Sequence, residues 1–207
     1  MARTTGSEGS RTEEAIRQAA VGLIAARGFE ATTMRQIATE VGIQPGALYR
    51  YFPSKAALLV DLQLGHLDFL LGHWQAERPA TDDPVTLLRA FIAFHIRFHT
   101  LRRKEVFVAN MELRSLAPAD YRRVVALRRR YEDILSGILG AGIRAGRFRL
   151  PDARVAAFAI LAMLTGVGSW YREGGRLGQR ELIDVHTLMV MQCVGLQPHP
   201  LPEETLT

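Results

Sequence analysis

The chain has 207 residues, of which 48% are hydrophobic and 23% are charged, a composition typical of globular proteins. Lysine and arginine number 26 against 21 aspartates and glutamates, so the formal net charge is +5, which favours a polyanionic partner. Cys193 is the only cysteine. The sequence therefore excludes an intrachain disulfide and a cysteine-rich metal site, and it fits a reducing compartment such as the cytoplasm.

The N-terminus begins with MARTTGSEGS, which lacks an apolar segment and therefore predicts a mobile arm, not a signal peptide. Ser10 and Glu13 have the spacing of a capping box, in which each residue hydrogen bonds to the backbone of the other. A regular apolar stripe follows and stops at Gly28. We predict a first helix from Arg11 to Arg27.

The stretch TMRQIATEVGIQPGALYRYF contains two short predicted helices joined by a tight turn. Thr33 and Gln36 form a second capping box, which begins the first of these helices. Gly42 follows the apolar positions where a helix end needs a residue tolerant of positive φ. Pro45 suits the first position of the next helix, because its missing N–H would have no partner there. That helix is predicted to end near Tyr51.

One face of this second short helix has no apolar side chain to bury. At 100° per residue, Gly46 and Arg50 lie nearly opposite Leu48, with Ala47 and Tyr49 beside them. Small residues allow close backbone approach, a guanidinium can fork onto a guanine edge or a phosphate, and a phenol hydroxyl suits phosphate oxygens. The pattern predicts a helix for the major groove of DNA.

This stretch and its continuation resemble the signature of the TetR family of transcriptional regulators at Thr33, Ile37, Ala38, Gly42, Gly46, Leu48, Tyr49, Tyr51, Phe52, Lys55 and Leu58. The resemblance is detailed over about residues 12–62, and the remainder matches in length and helical character. It implies an all-α fold of about nine helices, with an N-terminal three-helix helix-turn-helix DNA-binding domain and a larger C-terminal helical domain for ligand binding and dimerisation. We accordingly expect a flexible arm over residues 1–10, a DNA-binding domain over 11–55 and a ligand-binding and dimerisation domain over 56–207.

The resemblance and the outward face together predict a set of DNA contacts: Thr33, Arg35, Gln44, Pro45, Gly46, Ala47, Tyr49, Arg50, Tyr51 and Lys55. Arg35 stands where the family places a base-contacting arginine, and Lys55 lies where a phosphate meets a helix N-terminus. Arg3 or Arg11 can reach the minor groove from the arm. The resemblance further implies a cytoplasmic repressor that binds a palindromic operator as a homodimer.

Six further helices are predicted from the pattern of apolar residues and helix breakers. The first of them begins at Ser54 and the fifth begins at Pro151. The other four run from Pro84 to about Thr100, from Glu105 to Leu116, from Pro118 to Gly142 or Gly146, and from Gln179 to Val194. No segment is typical of a strand. The helix that begins at Pro151 has no charged residue from Val155 through Tyr171, which is 17 residues and short of a membrane span. We expect this helix to be buried against protein.

Small residues in this uncharged helix allow another helix to pack closely. In the resembled family the last two long helices pair with their copies in a second subunit as a four-helix bundle. The predicted dimer interface is Ala156, Ala159, Ala162 and Met163.

Aromatic and methionine residues in the C-terminal part can line a ligand cavity or fill the core. The candidate ligand-binding residues are Phe94, Phe98, Met111, Arg114, Arg128, Tyr131 and Met163. The stretch from Ser169 to Leu196 resembles the C-terminal part of TetR-family members that respond to acyl-coenzyme A thioesters, a likeness carried by Trp-Tyr-Arg followed by Gly-Gly. We therefore expect a small hydrophobic effector such as an acyl-CoA thioester. The alternatives are a sensor of cationic drugs for efflux control and a ligand-binding module without DNA binding.

Catalytic and metal sites have little support in the sequence. It contains no glycine-rich phosphate loop, nucleophile elbow or HExxH motif, so we predict neither an enzyme nor a cofactor. His95 and His99 have the i, i+4 spacing that can place two imidazoles on one metal, but no third ligand is evident. A solvated or hydrogen-bonded pair is the alternative, and no metal site is predicted.

Overall fold

A computed structural model describes residues 5–197, which form nine α-helices, a short 3₁₀ turn and no strand. The helices are α1 (Thr5–Arg27), α2 (Met34–Val41), α3 (Pro45–Leu48), α4 (Lys55–Glu77), α5 (Pro84–Leu101), α6 (Arg103–Met111), α7 (Pro118–Arg144), α8 (Ala153–Trp170) and α9 (Gln179–Cys193). The predictions of an all-α fold and about nine helices are confirmed.

The described residues divide into two compact units. The first unit comprises residues 5–69 and 102–127, and the second comprises 70–101 and 128–197. Helices α4 and α7 therefore each contribute residues to both units. The predicted domain boundary after Lys55 stays a prediction.

Helix α1 begins at Thr5, six residues before the predicted start at Arg11. The predicted cap at Ser10 is wrong, because Ser10 lies within the helix. Glu8 in the first turn explains the extension, since a carboxylate near a helix N-terminus interacts favourably with the exposed N–H groups. The part of the predicted arm that contains Arg3 lies outside the described residues, whereas Arg11 is an exposed residue of α1.

A single cluster of buried side chains forms the core of the first unit. Ile16, Ala20 and Ile24 contribute one stripe of α1, at spacings of four residues that place them on the same helix face. The other fully or nearly fully buried members come from another position of α1, the next three helices, the connections between these helices, and α6: Val21, Phe29, Met34, Ile37, Ala38, Leu48, Phe52, Leu58, Leu59 and Val108. The cluster lies behind α2 and α3 and determines where they lie.

The turn between α2 and α3 has the predicted geometry. The Gln36 N–H donates to Thr33 Oγ1 at 3.2 Å and the Thr33 N–H donates to Gln36 Oε1 at 2.8 Å, which confirms the capping box. Gly42 has φ of 77° and ψ of 28°, a left-handed conformation that favours glycine. The Ile43 N–H then donates to the Ala38 carbonyl at 2.9 Å and closes the helix end.

Helix α3 ends at Leu48, so its predicted extension to Tyr51 is wrong. Beyond Leu48 the chain continues in a tighter turn, in which the Arg50 N–H donates to the Ala47 carbonyl at 3.2 Å and the Tyr51 N–H to the Leu48 carbonyl at 3.0 Å. Pro53 prevents a further extension, since it sterically keeps Phe52, the residue before it, out of the α-helical conformation.

Helix α6 ends at Met111 and gives way to a 3₁₀ turn over Glu112–Ser115, where a single helix from Glu105 to Leu116 was predicted. Glu112 is buried, and its carboxylate accepts a hydrogen bond from the Phe29 N–H at 3.0 Å and another from the Ser115 hydroxyl at 2.9 Å. These bonds turn the chain inward and connect the end of α6 to the turn that follows α1.

Aromatic side chains fill the core of the second unit around α5, which packs against α8 and α9. The Trp74 ring centroid lies 5.2 Å from that of Phe91 and 5.5 Å from that of Phe94, and Phe94 lies 5.7 Å from Phe98. Offset and edge contacts at these distances are favourable between aromatic rings. Contacts between aromatic rings therefore stabilise the position of α5 within the second unit.

Helix α8 is 18 residues long with a mean hydropathy of 1.5, so by length and composition alone it could cross a membrane. Its buried residues Ala157, Ile160, Leu164 and Val167 recur at helical spacing and form one face against the rest of the protein. The opposite face is exposed: Val155 is 64% accessible. The prediction of a buried helix therefore holds for one face only.

The backbone at Gly42 leads to a stability prediction. The change Gly42→Ala should lower the free energy of unfolding by about 1 kcal/mol, because alanine is strained at φ of 77° although its Cβ would meet no atom within 4 Å. Gly65→Ala is the matched control, since Gly65 lies inside α4 with equally open space around it, and that change should stabilise by roughly 0.5 to 1 kcal/mol. Chemical denaturation measures both, and equal effects of the two changes would contradict the role of Gly42.

Candidate nucleic-acid interface and buried histidine cluster

The side chains predicted to contact DNA lie on α2 and α3, at the residues that cap these helices, in the turn that follows α3 and at the start of α4. Thr33, Arg35, Gln44, Gly46, Tyr49 and Arg50 are exposed, whereas Pro45, Ala47, Tyr51 and Lys55 are half-buried. The buried residues of the same stretch face the core described above. The structure thus brings the predicted contacts to one contiguous stretch with its polar side outward.

Two arginines on this surface have no acidic partner among the residues that the structure describes. Within the described part of the chain, neither Arg35 nor Arg50 forms an ion pair. Tyr49 lies beside Arg50 and is 51% exposed. Two guanidinium groups and a phenol are therefore available to an anionic partner such as DNA.

Lys55 makes contacts within the first unit that the sequence analysis missed. Its ammonium Nζ donates to the Phe29 carbonyl at 2.8 Å and to the Glu30 carbonyl at 3.3 Å, and it lies 4.3 Å from the centroid of the Phe29 ring. Lys55 therefore connects the start of α4 to the turn between α1 and α2. The phosphate contact predicted for Lys55 stays a prediction.

An ion pair between α1 and α4 adds a second connection. Arg17 Nε donates to Asp61 Oδ2 at 2.7 Å and Arg17 Nη2 donates to Asp61 Oδ1 at 3.3 Å, while Glu13 contacts the same guanidinium. The hydrogen bond to Asp61 raises the pKa of Arg17 above its usual range. This two-point contact fixes α1 on α4. No local pattern of residues indicates this contact, because Arg17 and Asp61 lie 44 positions apart.

A hydrogen-bonded histidine pair lies in the core of the second unit. His95 Nδ1 is 3.1 Å from the Tyr131 hydroxyl, and His95 Nε2 is 3.1 Å from Thr165 Oγ1. His99 Nδ1 donates to the His95 carbonyl at 2.8 Å, and the two imidazole rings stack with centroids 3.7 Å apart. The pair therefore connects α5 to α7 and α8.

Burial keeps this cluster neutral. Burial lowers the pKa of His95 well below its usual value, and it lowers the pKa of His99 to about 4, an effect to which the positive charge of Arg128 adds. Burial likewise raises the pKa of the Tyr131 hydroxyl. Both ring nitrogens of His95 already have hydrogen-bond partners. Of the two interpretations of His95 and His99, a metal site or a hydrogen-bonded pair, the structure therefore agrees with the hydrogen-bonded pair. Among the described residues no group of three or more potential metal ligands comes together.

The structure divides the predicted ligand-binding residues between the two units. Phe94, Phe98, Arg128, Tyr131 and Met163 belong to the second unit, and Met111 and Arg114 belong to the first. The rings of Phe94, Phe98 and Tyr131 are buried in the aromatic core, whereas Arg128 and Met163 are half-buried. Met111 is 52% exposed. A role for these seven residues in binding an effector stays a prediction.

Helices α8 and α9 expose apolar side chains. In the predicted dimer interface Ala159 and Ala162 are exposed, and Ala156 and Met163 are half-buried. Large apolar side chains extend the exposed surface on both helices: Val155, Phe158, Trp170, Val185, Leu188 and Met189. Exposed apolar groups of this number are typical of surfaces that bind another protein chain.

The neutral histidines predict that stability falls on acidification. The unfolded chain binds protons on these residues below about pH 6.5, whereas folded His99 stays neutral until about pH 4. Stability should therefore decrease as the pH falls through this window, with about 3 kcal/mol lost from His99 alone. The change His99→Asn keeps an N–H for the His95 carbonyl and removes the titration, so the pH slope should become shallower. Superimposable slopes in urea denaturation would rule out His99 as the cause.

Comparison with known proteins places this geometry in a family. A model described as bacterial regulatory proteins of the tetR family matches residues 16–62, and one described as a tetracyclin repressor-like C-terminal domain matches residues 81–194. The transcriptional repressor KstR2 of Rhodococcus jostii strain RHA1 is 30% identical over 174 residues, which cover 83% of this chain and 84% of that protein.

Two solved structures are similar over nearly their whole length. A regulatory protein of the tetR family from Rhodococcus RHA1 superposes with a TM-score of 0.85 at 27% identity, over 90% of this chain and 98% of that one. AibR, solved in complex with isovaleryl coenzyme A and operator DNA, superposes with a TM-score of 0.80 at 27% identity, over 86% of this chain and 97% of that one. The relatives are regulators and not enzymes, and the second family model alone covers more than half of the chain. The chain therefore belongs to the TetR family of bacterial transcriptional regulators.

Proposed function

We propose that the protein is a cytoplasmic transcriptional repressor that binds a palindromic operator as a homodimer and releases it when a small hydrophobic effector binds. The observation that carries the proposal is the exposed polar side of α2 and α3, where Arg35 and Arg50 have no acidic partner within the described residues. A surface with uncompensated guanidinium groups on a helix-turn-helix favours DNA over a role in ligand binding alone.

The contacts to DNA follow from side-chain chemistry and position. Arg35 and Arg50 can fork onto base edges, and Gly46 and Ala47 leave room for the backbone to approach the groove. Gln44 and Pro45 complete this base-facing surface. Hydroxyl groups at the helix ends suit phosphate oxygens, and the residues proposed for that role, with the Lys55 ammonium, are Thr33, Tyr49, Tyr51 and Lys55.

Substitution of the two arginines tests base recognition. Arg35→Ala and Arg50→Ala should each cost roughly 1 to 3 kcal/mol at one base pair per half-site and relax specificity there. Arg89→Ala, at an exposed position of α5, is the control and should leave binding unchanged. Fluorescence anisotropy on DNA from upstream of the protein's own gene, with single-base variants, measures the effect. If both variants rank these operators as the wild type does, the arginines contact phosphates only.

The exposed apolar side of α8 and α9 supports the homodimer. A two-fold axis brings the same surface of two subunits together, so one apolar patch is sufficient to bury itself against its copy. Two recognition helices must lie about 34 Å apart to enter successive major grooves of a palindrome. We infer that the dimer through α8 and α9 sets this spacing.

A buried charge should disrupt the dimer. Ala159→Asp places a carboxylate on an exposed position of α8, so the monomer should still fold while association and operator binding are lost together. Ala126→Asp puts the same charge on an exposed position of α7 and should leave a dimer. Analytical ultracentrifugation at micromolar concentration distinguishes them. A wild-type monomer that binds its operator tightly would defeat the proposal.

An acyl-CoA thioester is the effector that we propose. AibR, whose structure contains isovaleryl coenzyme A, is similar to this chain over most of both proteins. The aromatic core around Phe94 and Phe98 supplies an apolar environment for an acyl chain, and the half-buried guanidinium of Arg128 supplies a cation for an anionic head. The other candidate residues are Met111, Arg114, Tyr131 and Met163.

Release requires that the effector bind more tightly to a conformation that does not fit the operator, because only differential affinity shifts an equilibrium. Helices α4 and α7 each contribute residues to both units, so movement of their second-unit segments can be transmitted along the helix backbone. Ligand-dependent displacement of these helices is the route that we propose.

A titration of the operator complex tests the effector class. Isovaleryl-CoA and medium- and long-chain acyl-CoA thioesters should release the labelled operator, because they combine an apolar chain with an anionic head. Free coenzyme A and the free fatty acids are the matched controls, since each lacks one half of the molecule, and they should act only at much higher concentration. Release by cationic drugs with no response to any thioester would instead indicate a drug sensor for efflux control.

A further inference from the structure

The turn between α1 and α2 determines where the proposed DNA-binding surface begins. Helix α1 ends at Arg27, and residues 28–32 lead directly to Thr33, which caps α2. Thr33 and Arg35 are exposed members of that surface. A shift of the turn would therefore move the first helix of the surface together with its arginine.

The N–H group of Phe29 in this turn is bonded to a residue from a distant part of the chain. Gly28 has φ of 82°, and its N–H donates to the Ile24 carbonyl at 2.8 Å, which closes the end of α1. The next N–H, that of Phe29, donates to Glu112 Oε1 at 3.0 Å across 83 positions. Phe29 is buried, so removal of the carboxylate would leave this donor without its partner, which is costly.

Glu112 is a buried carboxylate whose contacts are hydrogen bonds. The residue is 6% exposed and forms no ion pair with any residue that the structure describes. Its second oxygen accepts a hydrogen bond from the Ser115 hydroxyl at 2.9 Å. Burial of a carboxylate without an ion pair is costly, so these two hydrogen bonds must compensate for that cost. They therefore hold the carboxylate at one position between the turn and Ser115.

Lys55, at the start of α4, binds the other polar group of Phe29. Its ammonium donates to the Phe29 carbonyl at 2.8 Å and to the Glu30 carbonyl at 3.3 Å. The N–H and the carbonyl of Phe29 are thus bonded to side chains from two different elements, the 3₁₀ turn after α6 and helix α4. The backbone of Phe29 cannot shift against either element without the loss of a hydrogen bond to an ionisable side chain.

The chain around Glu112 connects helices α6 and α7. The Glu112 N–H donates to the Val108 carbonyl at the end of α6, and the same carbonyl accepts a hydrogen bond from Gln63 Nε2 of α4 at 3.2 Å. Helix α7 begins at Pro118, a short distance along the chain from Glu112, and continues from the first unit into the second. A displacement of the start of α7 would therefore move Glu112 and, through it, the N–H of Phe29.

We propose that Glu112 is a positioning residue for operator binding, and that its hydrogen bond to the Phe29 N–H transmits the position of α7 to α2. The inference rests on the proposed function, because it concerns the same DNA-binding surface and the same effector. When the effector displaces α7, the Glu112 carboxylate moves away from the Phe29 N–H. The turn and Thr33 then shift, and Arg35 leaves its base pair.

Amide hydrogen exchange of the full-length protein, measured by NMR, tests the contact without DNA or effector. Glu112→Ala should speed exchange about tenfold at the Phe29 N–H and at the Gln36 N–H, which is bonded to Thr33 Oγ1. Glu112→Gln should restore both rates, because its amide oxygen can accept the same hydrogen bond. Glu105→Ala is the matched control, since Glu105 is the same residue type on α6 and pairs with Arg102 instead. Wild-type exchange at Phe29 in Glu112→Ala would overturn the proposal.

The change Glu112→Asp provides a second variant in case Glu112→Ala does not fold. Aspartate keeps the carboxylate but is one methylene shorter, so it should lengthen the contact with the Phe29 N–H and speed exchange there in the same direction. An unchanged exchange rate at Phe29 in Glu112→Asp, with Glu112→Ala unfolded, would show that the carboxylate supports folding only and would overturn the proposal.

Operator binding and release separate a positioning role from a purely structural one. By fluorescence anisotropy, Glu112→Ala should weaken operator binding about tenfold and reduce the further weakening caused by saturating isovaleryl-CoA, while Glu112→Gln should behave as the wild type does. Binding of isovaleryl-CoA to the free protein should not change. A variant Glu112→Ala that unfolds in less urea but binds and releases the operator as the wild type does would overturn the proposal. Failure of isovaleryl-CoA to release the wild-type complex would instead count against the effector, and the exchange at Phe29 would still decide the role of Glu112.

Discussion

The burial of Leu48 is the constraint on which the recognition surface depends. Helix α3 has four residues, a length that is not stable alone in water, and Leu48 is its one buried side chain. The position of Tyr49, Arg50 and the other outward groups is therefore set by the packing of Leu48 against the core of the first unit. The exposed side chains of Tyr49 and Arg50 are consequently free to be chosen for DNA, because they do not belong to that packed cluster.

Hydrogen bonds of three charged side chains connect the helices around this core. Apolar contacts alone would not set the angles between these helices. Lys55 donates to the carbonyls of the turn after α1, Glu112 accepts the Phe29 N–H of the same turn, and Arg17 pairs with Asp61 of α4. Hydrogen bonds that involve an ionised group are stronger and more directional than neutral ones. They therefore fix the angles at which α1, α4 and the end of α6 meet the packed side chains. The recognition of successive base pairs requires that the helices be positioned with this precision.

The features that the sequence predicted correctly are those whose causes are local. The Thr33 capping box, the left-handed Gly42 and the helix start at Pro118 depend on residues within one turn. The features that it missed depend on distant partners: Glu112 bonds to a residue 83 positions away, and this contact explains why α6 breaks where a continuous helix was predicted. The contacts of His95 with Tyr131 and Thr165 are equally non-local, so spacing alone left a metal site and a hydrogen-bonded pair as open alternatives.

The histidine pair also determines what kind of polar group the core of the second unit can accept. The His95 carbonyl can only accept a hydrogen bond, so His99 Nδ1 must carry the proton of their 2.8 Å contact. Burial lowers the pKa of His99 to about 4, so the ring is neutral near pH 7 and its Nε2 must present a lone pair. A group that meets this nitrogen is therefore stabilised if it donates a hydrogen, and a group that offers only a carbonyl or carboxylate oxygen to it is disfavoured.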